Sequence, residues 1–178
     1  MARRTHGFTL LEVTVSVSIL SVLFLALFAT LIGSSQLSTA SSEDAVAIQQ
    51  AQNQIETMKA VPFGQFYGLY GAAGTAAWSG ATPTSGGMSF TVSGLGPGAT
   101  GKIYLMPESA YQALTGQWVD LDFNGAVTTS VKSTYAYFPV MVTVSWKSGS
   151  NNNPNAPPRT QTVTSAIFNN PGVAGNGN

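Results

Sequence analysis

From Phe8 to Ile32 the chain runs for 25 residues almost without interruption in apolar side chains, and the single ionisable group within that run is Glu12. A helix rising about 1.5 Å per residue would more than cross a hydrocarbon core of about 30 Å. A helix that is apolar on every side has to lie in lipid or against other apolar helices, so the rest of the chain must fold as an appendage to it. Arg3 and Arg4 stand just before the run, and no basic residue follows until Lys59. The charge bias therefore predicts a cytoplasmic N-terminus, with everything beyond residue 32 outside. The run is too long for the apolar region of a cleaved secretory signal peptide and has no small-residue exit near its end. Nor does the usual twin-arginine pattern follow Arg3 and Arg4.

Glu12 needs its own account. A carboxylate at the centre of a spanning helix costs roughly 2.5–3.5 kcal/mol, and less near an end, where the side chain can snorkel to the interface. Cutting the chain between Gly7 and Phe8 would give it a partner. The new α-amino group at Phe8 would lie four residues before Glu12, in a first helical turn that also favours a negative charge.

The stretch "GFTLLEV" behind a short basic leader resembles the class III signal of type IV pilins and type II secretion pseudopilins. The resemblance implies cleavage after Gly7 by prepilin peptidase, N-methylation of Phe8, and a role for Glu12 in assembly. In a bundle of such helices Glu12 of one subunit can face the α-amino group of Phe8 in a neighbour, because burial makes an unpaired charge costly and a paired one tolerable. The partners implied are prepilin peptidase, other pilin or pseudopilin subunits and, before assembly, the inner membrane; the destination is a pilus or periplasmic filament. Ser16, Ser18 and Ser21 are small enough for close helix approach but are also ordinary in spanning helices.

The expected organisation is a leader over 1–7, a transmembrane helix over 8–32, an amphipathic continuation over 33–61 and a β-rich head over 63–178. Ile48, Ala51, Ile55 and Met58 form one apolar stripe at helical spacing, and Pro62 should end the helix. The Ser- and Thr-rich stretch 34–42 leaves open a continuous helix or a second one capped by Ser41 or Ser42. "QIETMKAVPFGQF" also looks like the end of the first helix in many minor pilins.

In the head, the stretch "GLYGAAGTAAWSGATPTSGG" reads as a long irregular connection, with Trp78 either a contact residue or a tack onto the core. Strands are expected at 88–92, 102–106 and 118–123. Asn124-Gly125 then turns a hairpin into 126–130. The longest strand signal is 135–146, where Val140, Val142, Val144 and Trp146 share a face and Pro139 suggests an edge or bulge. A polar loop leads to a returning strand over 159–168, and the ending "NNPGVAGNGN" reads as a mobile tail. A long helix followed by antiparallel strands is an α+β arrangement, and it resembles the pilin fold without the cysteine pair of many major pilins.

Composition narrows the chemistry. There is no cysteine and the only histidine is His6, so the head can build no Ser-His-Asp triad, Cys-His pair or His-ligated zinc; no catalytic activity is expected. The seven basic groups fall to five once Arg3 and Arg4 are set aside, against seven acidic ones, which argues against direct nucleic-acid binding. "DLDFNG" supplies Asp120, Asp122, Asn124 and Gly125 at the spacing of the first half of a calcium loop, but Val131 stands where the bidentate glutamate would be. The alternative is a plain pair of exposed strand aspartates before a tight turn. The expected function is that of a minor pilin or pseudopilin, the alternative a membrane-anchored ligand-binding module.

Overall fold

A computed structural model describes residues 9–71, 74–96, 98–148 and 157–168. The leader with Gly7 and Phe8, most of the polar loop before Arg159 and the ending 169–178 lie outside the described residues. The chain divides into two compact units, Met1–Ser42 and Glu43–Asn178.

Helix α1, Leu10–Lys59, contributes to both. It runs through the Ser- and Thr-rich stretch without a second start, and it stops before Pro62. In the first unit every large apolar side chain from Leu10 to Ile32 is exposed. The hydroxyls of Ser16, Ser18 and Ser21 donate to the carbonyls of Glu12, Thr14 and Val17, at 2.7, 2.8 and 2.8 Å. The helix thus satisfies its own hydroxyl donors and offers a surface that asks nothing of water.

In the second unit α1 buries Ala47, Ala51, Ile55 and Met58. Ala47 takes the place expected of Ile48, which is 37% exposed. A step of four from Ala47 to Ala51 keeps the stripe on one side, whereas Ile48 lies about 100° further round. After α1 come α2, Phe63–Phe66, and a wide turn, Tyr67–Gly71.

The stretch expected to be irregular holds a small antiparallel hairpin, β1 (Ala76–Ser79) with β2 (Thr82–Gly86). Its Gly, Ala, Ser and Thr residues carry little strand signal, so pairing and packing decide the outcome. Four further strands form an antiparallel sheet in the order β3-β4-β5-β6: Met88–Thr91, Thr100–Leu105, Tyr137–Trp146 and Arg159–Phe168. Helix α3, Glu108–Thr115, which the sequence reading missed, follows β4.

Val140, Val142, Val144 and Trp146 are all buried on one face of β5, in one cluster with Ile103, Leu105 and the stripe of α1. Full burial of such a side chain contributes roughly 1.5–3 kcal/mol. Phe138 lies at one end of this core, with the rings of Phe63, Phe66 and Tyr135 5.2, 5.1 and 6.0 Å away. On the opposite sheet face Tyr104 and Met141 pack with Met106 and Ala110. Trp78 meets Tyr104 edge-on at 6.2 Å, so it tacks the β1–β2 hairpin onto the sheet.

Pro139 is not on an edge, since β5 pairs with both β4 and β6. The β4 ladder ends at Leu105↔Val140, and just beyond it the Pro139 carbonyl still accepts the Met106 N–H at 2.9 Å. The missing donor of Pro139 therefore falls where the ladder has already stopped.

Candidate functional site

Two places hold candidate functional residues, one in each unit. In the second unit the segments expected as a hairpin, 118–123 and 126–130, are not strands. Carboxylates take the backbone instead. Asp120 Oδ1 accepts the Asn124 N–H at 3.1 Å and Oδ2 accepts the Gly125 N–H at 2.7 Å. Local bonds of this kind compete with a strand ladder, and here they win. The loop turns through Phe123 and Gly125, with φ of 55° and 80°. The left-handed conformation is costly for an aromatic residue and easy for glycine.

Asp122 has a side chain only 4% exposed, and its Oδ2 takes Lys132 Nζ at 2.7 Å. That bond is the main reason its pKa is held below the ordinary 3.8, against the opposing effect of burial. Asn124 turns its amide inward on the loop. Its Nδ2 donates to Asp122 Oδ2 at 2.8 Å, and its Oδ1 accepts the Ala126 N–H at 2.8 Å.

Glu108, absent from the sequence reading, lies at the centre of this arrangement and is fully buried. Its Oε1 accepts the Leu121 N–H at 2.7 Å; its Oε2 accepts the Thr128 N–H at 2.7 Å and the Thr128 hydroxyl at 2.8 Å. Tyr135 closes the group by donating to the Ser130 carbonyl at 2.9 Å, and burial pushes its phenol above the ordinary value of 10.0. Carboxylate oxygens of Glu108, Asp120 and Asp122 lie within 4.8 Å of one another. A signal for Glu108 did exist. Pro107-Glu108 opens a run of helix formers that ends at Gly116, a left-handed cap whose N–H bonds to Gln112 O at 2.8 Å, and an acidic residue belongs in such a first turn.

In the first unit Glu12 occupies the third position of α1, just inside its start. Thr9 stands before the helix, and its hydroxyl accepts the Glu12 N–H at 3.3 Å while its carbonyl accepts the same N–H at 3.0 Å. This is one half of a capping box, T-x-x-E, in which the glutamate sits beside the unpaired N–H groups of the first turn. Glu12 thus lies in the first turn, at the positive end of a helix whose large apolar side chains up to Ile32 are all exposed, and that is long and apolar enough to cross a membrane.

Over residues 2–28 the sequence matches the prokaryotic N-terminal methylation motif. The N-terminus is a type IV pilin-like prepilin signal. The prepilin signal implies processing by prepilin peptidase and assembly with other pilin subunits, and it suits anchoring in a membrane followed by filament formation. No curated protein and no solved structure matches the chain. Within the prepilin signal Glu12 is among the described residues, whereas Gly7 and Phe8 are not. The long helix followed by antiparallel sheets is consistent with the α+β pilin-like fold.

Proposed function

We propose that the chain is a minor pilin or type II secretion pseudopilin: a structural filament subunit, without catalytic activity and without direct nucleic-acid binding. It enters the inner membrane with its N-terminus cytoplasmic. Prepilin peptidase cuts between Gly7 and Phe8, Phe8 becomes the methylated terminus, and the subunit joins a pilus or periplasmic filament through α1. The observation that carries this reading is the continuous exposed apolar surface of α1 from Leu10 to Ile32, with a single carboxylate, Glu12, in its first turn. Lipid covers that surface before assembly and neighbouring helices cover it afterwards. Packing of the apolar faces supplies most of the attraction, while pairing of Glu12 with an α-amino group sets the register.

An anchored binding module would remain uncut in the membrane. Gly7→Val places a branched side chain at the bond to be cut, so the variant should accumulate as full-length precursor, seen by intact mass. Normal trimming of Gly7→Val would overturn the proposal.

A further inference from the structure

We infer that the outer face of the main sheet binds an uncharged polysaccharide, held in a cleft beside the β1–β2 hairpin. The strand registers lead there. Pairing across β3, β4, β5 and β6 sets Thr91, Thr100, Ser145 and Thr160 in one row, and Ser89, Lys102, Thr143 and Thr162 in the next. Residues two apart on a strand share a face, and the alternate positions Ile103, Val142 and Val144 belong to the core shared with α1. Both rows therefore face away from that core. Apart from Lys102, every side chain in them carries a hydroxyl, at positions spaced about 4.8 Å across strands and about 6.8 Å along them.

The cleft, about 360 Å³, is lined by Thr82 and Pro83 of the hairpin and by four members of the rows, Thr143, Ser145, Thr160 and Thr162. Tyr104 and Met141 also line it; they are 8% and 6% exposed and packed in the outer cluster, so they make an apolar floor. Among the described residues no charged side chain lines the cleft. An ionic ligand would give up its hydration there without a counter-charge. A hydroxyl is donor and acceptor at once, which suits a ligand that is itself an array of hydroxyls, while the floor suits the C–H face of a sugar ring. Among the described residues the hydroxyls of Thr82, Thr143 and Thr162 have no partner, and those of Ser145 and Thr160 bond each other at 3.0 Å. The rows run on past the cleft onto β4 and β3, a surface for a chain of sugar units rather than for one. Threonine also suits a solvated strand by shape alone. Shape preference builds rows but not a walled cleft over a buried apolar floor.

Binding at this face requires neither cleavage at Gly7 nor assembly, so the uncut full chain serves for the test. It is held in a detergent without a sugar headgroup and titrated calorimetrically with cellotetraose, maltohexaose and chitotetraose, and with an anionic oligogalacturonate for comparison. At least one of the three uncharged probes should bind, with a dissociation constant of about 1 mM or tighter, as expected of several hydrogen bonds exchanged with water. Thr143→Val and Thr162→Val each remove a hydroxyl and keep the branched shape. Together they should weaken binding at least about tenfold and leave the melting temperature unchanged. If the pair lowers the melting temperature, Ser145→Ala decides, with an expected loss of about threefold or more. No heat from any uncharged probe, or wild-type binding by the double variant, overturns the site. Binding restricted to oligogalacturonate and lost in Lys102→Met overturns the uncharged class and assigns an anion to the lysine instead.

Discussion

Trp146 donates its indole N–H to a carboxylate oxygen of Glu43 at 3.1 Å, joining the last residue of β5 to the first residue of the second unit. Arg159 reinforces this corner, with its Nη2 2.8 Å from Asp44 Oδ2 and its guanidinium 5.7 Å from the centre of the Trp146 ring. Because the indole is buried, its bond to a charged acceptor contributes more than an exposed ion pair would.

Trp146→Phe keeps an aromatic ring but deletes the donor and part of the volume. It should destabilise the second unit by about 1.5–3 kcal/mol, while Glu43→Gln, which keeps an acceptor oxygen, should cost less. Urea unfolding followed by circular dichroism measures both. An unchanged midpoint for Trp146→Phe would show that the corner contributes nothing.

The loop around Asp122 should lose stability in acid. Lys132 holds the folded-state pKa of Asp122 below the ordinary 3.8. The contribution is therefore complete above that value and is lost as pH falls through the lower, folded-state pKa. Melting temperature should drop as pH falls below about 5 and go on dropping through the folded-state pKa, and Lys132→Met should show a shallower drop. Parallel acid profiles for the two proteins would mean that the ion pair does not couple to folding.

Glu12→Val retains the apolar span and removes the charge. Cleavage should proceed normally while incorporation into sheared filaments falls at least about tenfold, the equivalent of about 1.4 kcal/mol per subunit. Equal recovery of variant and wild type would refute the assembly role of Glu12.

The parts legible in the sequence were those where one physical demand repeats. The alternation Val140-Val142-Val144-Trp146 marks a strand with one buried face, and the returning strand Arg159–Phe168 stands out by its β-branched Thr, Val and Ile residues. The prepilin signal is legible because its residues are contiguous. Asp120 and Asp122 could be read as a strand or as a cation loop, since nothing in their spacing says whether the carboxylates face solvent or their own backbone. Pro107-Glu108 can be read as a helix start, but not what the Glu108 carboxylate bonds, because its partners, Leu121 and Thr128, are 13 and 20 residues away, beyond the reach of any periodicity. The β1–β2 hairpin was hidden for the opposite reason. Its residues have little preference of their own, and the contact of Trp78 with Tyr104 helps fix it in place.

The strands of the main sheet lie in the order in which they occur along the chain. Each pairs antiparallel with the strand before it, so the sheet can be laid down progressively as successive segments are delivered. The stripe Ala47, Ala51, Ile55 and Met58 is made early but shares its core with Val140, Val142 and Val144, more than eighty residues later in the chain. During synthesis that part of α1 must wait, incompletely covered, until β5 arrives. This interval leaves the nascent chain open to mispairing or capture by a chaperone.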